Sequence, residues 1–134
     1  MLYLASPYSH PVALVRESRA KDAAVATSKL LAGGLHVFSP VVLTHPLAET
    51  RILPSDWDFW RGYDFEFLRW CAGMIVLTLE GWQESVGVQA EIRVMMTMKR
   101  PVVQTSMHDV LGMSPDLLVQ RVEEALHAER DLVK

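Results

Sequence analysis

Short apolar runs alternate along this chain with longer stretches in which apolar residues recur every three or four positions. The short runs predict buried strands, and the longer stretches predict helices with one apolar face. Four of the runs are predicted to be strands, at residues 2–5, 36–39, 74–77 and 102–104. Residues 105–111 are a candidate for a fifth strand.

Capping residues set the limits of the predicted helices. The first helix covers residues 12–31 and stops at the glycine pair 33–34, since glycine is common just after a helix. A second helix is predicted over residues 56–70. A third follows Ser85, a good N-cap, and ends near Lys99.

The last predicted helix begins with Ser114 as N-cap and Pro115 at its first position, and it continues to the end of the chain. Residues 41–54 contain Pro46 and Pro54 and are predicted to be a long loop with one helical turn at residues 47–51. A connection of this length within a compact domain is often functional.

Strands that alternate with helices predict an α/β fold, a doubly wound parallel sheet of four to five strands with helices on both faces, flavodoxin-like or Rossmann-like. The chain of 134 residues is predicted to form one domain. The first strand should lie centrally. The loop that follows it should then lie beside the Ser85 segment, at the point where the strand order reverses.

Composition narrows the classes of partner. The net charge is −3 and no basic block is present, which argues against a nucleic acid polymer as partner. No run of eighteen apolar residues occurs, so we expect neither a membrane span nor a signal peptide. The single cysteine, Cys71, is expected to be a buried structural thiol in a cytoplasmic protein.

Sequence motifs for common cofactors and metals are missing. The chain has no GxxxxGK[ST], GxGxxG or GxSxG segment, and its five histidines lack zinc-ligand spacing. We therefore expect no cofactor and no metal. The side chains left to carry chemistry lie near strand ends, and they are Tyr3, Tyr8, Asp64, Ser85 and Glu91.

Glu91 stands out because its neighbours Val88, Ile92 and Met95 are apolar. A carboxylate in such surroundings needs a partner or a function. Gly87 precedes it by one helical turn and would let a ligand approach the backbone. The alternative interpretation of Glu91 is a solvated helix residue.

Three segments of the chain carry a family resemblance: the opening Tyr3-Leu4-Ala5-Ser6-Pro7, Asp64 ahead of a strand, and the run Ser85-x-Gly87-x-x-x-Glu91. They resemble the nucleoside 2-deoxyribosyltransferase superfamily, which includes the deoxynucleoside 5′-monophosphate N-glycosidases. The run that starts at Gly81-Trp82 is similar to a small branch of that superfamily. The resemblance covers residues 2–103.

The resemblance implies three catalytic residues. Glu91 matches the glutamate that attacks or stabilises the sugar carbon C1′, Tyr3 matches the tyrosine that orients this glutamate, and Asp64 matches the aspartate that manages the proton of the leaving base. The chain departs from the family at Ala72, where many members have an acidic residue. Candidate substrate-binding residues are Ser85, which matches the residue facing the sugar 5′ position, and four neighbours of the site: Ser6, Tyr8, Trp82 and Gly87.

The predicted activity is cleavage of the N-glycosidic bond of a nucleoside or nucleoside 5′-monophosphate, by hydrolysis or by base exchange. Two other functions stay open: a non-catalytic nucleotide-binding or sensing domain on the same fold, and a structural partner protein without a pocket. Tyr3 could also be a plain core tyrosine, and Asp64 could pair with Arg61 or Arg69.

Two further expectations concern assembly and the substrate phosphate. The apolar residues of the helix after Ser85 predict a homodimer or higher homo-oligomer, and the resemblance implies sites completed by a neighbouring chain, with Ser106 or Ser114 as candidates. A serine at position 85, at a helix N-terminus, predicts preference for the 5′-monophosphate, with Arg16 or Arg19 within reach of the loop. The alternative is that Ser85 serves only as the N-cap of the helix.

Overall fold

The computed structural model describes residues 1–133, which form four strands and six helices. The strands are β1 Leu2–Ala5, β2 Val37–Phe38, β3 Gly73–Leu77 and β4 Val102–Thr105. The helices are α1 Ala13–Ala32, α2 Pro40–Glu49, α3 Trp57–Trp70, α4 Val86–Thr97, α5 Met107–Gly112 and α6 Pro115–Val133. Lys134, the end of the predicted last helix, lies outside the described residues.

The four strands form one parallel sheet in the order β2-β1-β3-β4. After β1 the chain crosses through α1 to β2 on one side, and β3 and β4 lie on the other side. The strand order therefore reverses between β1 and β3, which is where such sheets build sites at their carboxyl ends. The prediction of a doubly wound parallel sheet with a central first strand is confirmed.

The side chains of β1 point alternately to the two faces of the sheet, and both faces are buried. Leu2 and Leu4 pack in the cluster formed with α1 and α6, whereas Tyr3 and Ala5 pack in the cluster on the side of α3 and α4. Successive side chains of a strand point to opposite faces, so helices on both faces cover an apolar run such as this. Tyr3 is thereby directed toward α3 and α4.

Polar caps begin the helices at the predicted serines. The Ser85 hydroxyl accepts a hydrogen bond from the Val88 backbone N–H at 3.3 Å, and the Ser114 hydroxyl accepts one from Leu117 at 3.2 Å. Both bonds satisfy amide groups that the first turn of a helix leaves without an intrahelical partner. These two N-caps are confirmed.

Two predicted segments were wrong. The loop expected over residues 41–54 is mostly helix α2, because Ser39 accepts a hydrogen bond from Val42 at 3.2 Å and Pro40 suits the first helical position. The candidate fifth strand at 105–111 is mostly helix α5, which Ser106 caps by accepting from Asp109 at 3.1 Å. In both segments a local serine cap outweighs the apolar or proline-rich pattern.

Cys71 is buried and unpaired, as predicted for a structural thiol. None of the helices within residues 1–133 combines the length and apolar character needed to cross a membrane.

Candidate active site

A cavity of about 600 Å³ opens at the carboxyl edge of the sheet, beside the reversal point between β1 and β3. Its walls come from the loop after β1, from α2 and α3, and from the first turns of α4. Its size lies within the usual range for small-molecule sites. Six of the predicted site residues line it: Ser6, Tyr8, Asp64, Ser85, Gly87 and Glu91.

Glu91 forms a buried part of this wall. Its side chain is 4% exposed, and Tyr3 from β1, which is fully buried, donates its O–H to Glu91 Oε2. Burial raises the pKa of the Glu91 carboxyl from 4.5 to about 8; the Tyr3 hydrogen bond opposes this shift and the charge of Asp64 adds to it. Burial and the same two carboxylates raise the pKa of Tyr3 well above its ordinary value.

Asp64 reaches the same cavity from α3. It is 9% exposed, and its Oδ1 has no hydrogen-bond partner among residues 1–133. Burial raises the pKa of Asp64 from 3.8 to about 7. The alternative of a salt bridge to Arg61 is not realised, since Arg61 lies 4.0 Å from Asp58 instead.

Ser6 is the second buried polar residue on the cavity wall that lacks a hydrogen-bond partner. It is 6% exposed, and its hydroxyl finds no partner in the described part of the chain. Burying an unsatisfied hydroxyl or carboxyl costs about 1–3 kcal/mol per group, so a ligand that bonded to both Ser6 and Asp64 would recover that energy. The cavity thus carries two polar groups ready for a ligand.

Gly87 lines the cavity for a steric reason. A Cβ at this position would lie 3.3 Å from the six-membered ring of Trp57, closer than nearly all real contacts. The glycine lets α4 approach the indole, and Trp57 itself lines the cavity. Gly87 was predicted to let a ligand approach the backbone, and in the structure it lets the Trp57 side chain approach as well.

Tyr3 and Trp82 lie behind the cavity wall. Tyr3 acts on the cavity through Glu91. Trp82 is a candidate substrate-binding residue from the sequence, with a place in the core or at the rim as the alternative. It does not line the cavity, and its side chain packs against the buried cluster that contains Tyr3, which agrees with the alternative.

Arg19 brings a positive charge to the cavity. Its guanidinium donates to the backbone carbonyls of Ser9 at 2.8 Å, Tyr8 at 3.4 Å and Glu80 at 3.0 Å, and so joins the loops after β1 and β3. Gly81, which has a φ of 89°, allows this approach, because a Cβ there would lie 2.8 Å from Arg19 Nη2. The prediction that Arg19 can reach the loop is confirmed.

Several wall residues were not identified from the sequence. Thr44 and Val41 line the cavity from α2, which was predicted to be a loop, and Trp60 lines it from α3. The sequence signal that could have located the first two is the Ser39-Pro40 helix start. His45, which the sequence did not single out, has its Nδ1 2.7 Å from the hydroxyl of the lining residue Tyr8.

The arrangement places two carboxyl groups of different surroundings on one cavity. Burial raises the pKa of both groups, to about 8 for Glu91 and about 7 for Asp64; the Tyr3 hydrogen bond opposes the shift at Glu91, and Asp64 has no such partner. Such a pair can divide acid and base roles between its members. Within residues 1–133 no group of three or more histidine, cysteine or carboxylate side chains is arranged to hold a metal ion.

Comparison with known proteins places the chain in a family. No curated protein matches the sequence. A family model described as "Domain of unknown function (DUF1937)" matches residues 1–107, which include every residue of the cavity wall named above. The chain therefore belongs to the DUF1937 family.

Proposed function

We propose that this protein cleaves the N-glycosidic bond of a nucleoside or nucleoside 5′-monophosphate, by hydrolysis or by base exchange. The observation that carries the proposal is the buried hydrogen bond from Tyr3 to Glu91 in a cavity that also holds the unpartnered carboxyl of Asp64. Cleavage of this bond passes through a positively charged sugar, which needs a negative charge on one side and a proton for the leaving base.

Each of the three residues has one role in this reaction. Glu91 faces C1′ and stabilises the developing positive charge or bonds to C1′. Tyr3 is a positioning residue that orients the Glu91 carboxylate. Asp64 donates its proton to the ring nitrogen of the base, which takes the electron pair of the broken C1′–N bond. Water or a second base then adds to C1′ and gives its proton to the ionised Asp64; a bond between Glu91 and C1′, where one has formed, breaks with its electron pair returning to the carboxylate.

A 5′-phosphate is proposed to bind between Ser85 and Arg19. Ser85 lies at the N-terminus of α4, where backbone N–H groups and the helix dipole favour an anion. Arg19 adds a guanidinium on the same cavity. Glu84 also lines the cavity, but its side chain is exposed, so solvent screens its charge.

The proposed setting is a cytoplasmic homo-oligomer that acts on a small nucleotide. Exposed apolar side chains on α4 support self-association: Met96 is 64% exposed and Val86 is 66% exposed.

The direct test is incubation of the protein with a panel of nucleosides and nucleoside 5′-monophosphates, followed by chromatography for free base. Wild type should release base, and Glu91→Gln should lose on the order of a thousandfold in kcat while still binding the ligand. Glu66→Gln is the matched control, because Glu66 is an exposed glutamate on α3 that does not line the cavity.

Two results would contradict this function. Nucleotide binding without release of base by the wild type would favour a sensing domain on the same fold. Near-normal turnover by Glu91→Gln would remove Glu91 from the reaction.

A further inference from the structure

A second cavity adjoins the first. It has a volume of about 680 Å³ and lies between the loop after β1, the start of α1 and the end of α2. The two cavities share four wall residues, which are Tyr8, Ser9, Ala48 and Ser55. Since each cavity alone has the size of a small-molecule site, the two together suit a ligand with two bulky halves.

Two arginines one turn apart on α1 serve the two cavities. Arg19 lines the first cavity and Arg16 lines the second. Arg16 donates to the His10 carbonyl and Arg19 donates to Ser9, so the loop after β1 holds both guanidinium groups through backbone oxygens. Neither arginine has a carboxylate oxygen within 4.0 Å among residues 1–133, so both charges stay available to an anion.

A third cation, Arg51, follows the end of α2 and lines the second cavity. It too forms no salt bridge within the described residues. Its backbone has a φ of 58°, in the left-handed region that ends many helices. Two unpaired guanidinium groups on one cavity are the arrangement that binds a phosphate group strongly.

The second cavity also contains hydrogen-bond acceptors. Glu49 lies 3.4 Å from His45 Nε2, and the other ring nitrogen of His45 lies 2.7 Å from the Tyr8 hydroxyl. Glu17 is an exposed carboxylate on the same wall. In dinucleotide-binding folds a carboxylate accepts hydrogen bonds from ribose hydroxyls, so these acids suit a sugar, whereas the arginines of the same cavity suit a phosphate.

We propose, on the basis of the function proposed above, that the substrate is a dinucleotide whose two nucleoside halves are joined by a pyrophosphate. One half occupies the first cavity, with its glycosidic bond at Glu91 and its phosphate at Arg19. The second phosphate binds Arg16 and Arg51, and the second nucleoside fills the adjoining cavity, where Glu17 accepts hydrogen bonds from its ribose.

The test is equilibrium binding by titration calorimetry of symmetric dinucleoside diphosphates against the corresponding 5′-monophosphates, with adenosine and thymidine as the nucleosides. Glu91→Gln protein is used so that no turnover occurs. The dinucleotide should bind at least about tenfold more tightly than the monophosphate, because it adds a charge-assisted phosphate contact. Arg51→Ala should lower that ratio to below about threefold.

Arg61→Ala is the control, because Arg61 is an exposed arginine that lines neither cavity. Equal affinities for dinucleotide and monophosphate, or a ratio that Arg51→Ala leaves unchanged, would overturn the proposal. Base release from the monophosphate without a dinucleotide advantage would leave the glycosidase function standing alone. Tight dinucleotide binding without base release by the wild type would reject the glycosidase function and leave only a dinucleotide-binding site. Absence of binding would reject both proposals.

Discussion

Glu91 and Asp64 are acids that the fold keeps away from water. Glu91 lies on α4 and Asp64 on α3, and burial is the largest cause of the raised pKa of each. A buried carboxylate costs free energy unless it is paired, so a chain without a use for these groups would gain stability by replacing them. Their joint burial on one cavity is therefore the residue-scale feature that most favours catalysis.

Stability should report this cost. The pKa of Glu91 is higher in the folded chain than in the unfolded chain, so the folded state binds the proton more tightly. The protonated Glu91 therefore contributes its full share to the free energy of unfolding below about pH 4.5, and this contribution is lost as pH rises toward 8. Between about pH 5 and pH 9 the wild type should lose on the order of a few kcal/mol relative to Glu91→Gln, whose side chain stays neutral.

Urea denaturation of both proteins at the two pH values measures this difference in the free energy of unfolding. Glu66→Gln changes an exposed glutamate on α3 and should have the same free energy of unfolding as the wild type at each pH. Parallel pH dependence of the wild type and Glu91→Gln would show that Glu91 titrates normally.

The rate should depend on pH through the same two acids. Reaction needs ionised Glu91 and protonated Asp64, so kcat/KM falls at low pH and again at high pH. Because both pKa values are raised, to about 8 and about 7, the maximum should lie in the neutral to mildly alkaline range. The two limits belong to the pair as a whole, since the carboxyl groups interact.

Initial rates across the pH range measure this profile, and Asp64→Asn should remove the alkaline limb while lowering the rate. A wild-type rate that stays constant down to about pH 5 would exclude a raised pKa at Glu91.

At the scale of elements, the start of α4 carries the proposed selection for a phosphate. Ser85 caps the helix and also lines the cavity, so one side chain stabilises the helix and lies where the phosphate is proposed to bind. Ser85→Asp keeps the cap, because aspartate is as good an N-cap as serine, but it places a negative charge where the phosphate is proposed to bind. The substitution thus separates capping from recognition.

Ser85→Asp should lower the ratio of kcat/KM for a 5′-monophosphate to that for the free nucleoside by about tenfold or more, because two anions then repel each other at short distance. Steady-state rates with both substrates measure the ratio. The matched control is Ser114→Asp, which makes the same change at the N-cap of α6, away from the cavity. A wild type that prefers the free nucleoside, or an unchanged ratio, would reject the phosphate assignment.

At the scale of the whole molecule, the sheet and its six helices leave apolar side chains on the outer surface. Met96 on α4 is exposed, and on α3 Trp70 is 79% exposed at the end of a row of ring contacts with Phe67 and Tyr63. Exposed apolar side chains that touch one another, as the rings on α3 do, often mark a protein contact. In the predicted homo-oligomer, a second copy of the chain would cover these exposed side chains.

Sedimentation velocity at micromolar concentration should therefore show a dimer or a larger species. Met96→Lys should weaken the association, because a charge in an apolar contact is costly to bury. Leu132→Lys is the control, since Leu132 is an exposed apolar residue on α6 at 78% exposure. A monomer at this concentration would contradict the prediction.

Local sequence signals determined much of this protein. Apolar runs located all four strands, and serine caps at positions 85 and 114 located two helix starts, because strand burial and capping depend on a few neighbouring residues. The unusual surroundings of Glu91 were also visible, since its neighbours along the chain are apolar. The two segments that were predicted wrongly, α2 and α5, are those where a cap competes with another local pattern.

The resemblance offered Tyr3 as the partner of Glu91, but only the tertiary structure decided that the two side chains meet. Tyr3 is 88 positions away along the chain, and its contact with Glu91 exists because β1 lies beside β3 and turns alternate side chains toward α4. The same packing of distant segments buries Asp64, places the half-buried Trp82 against the core and joins two cavities at Tyr8. No local pattern encodes these contacts, because their free energy comes from packing between elements that are remote in sequence.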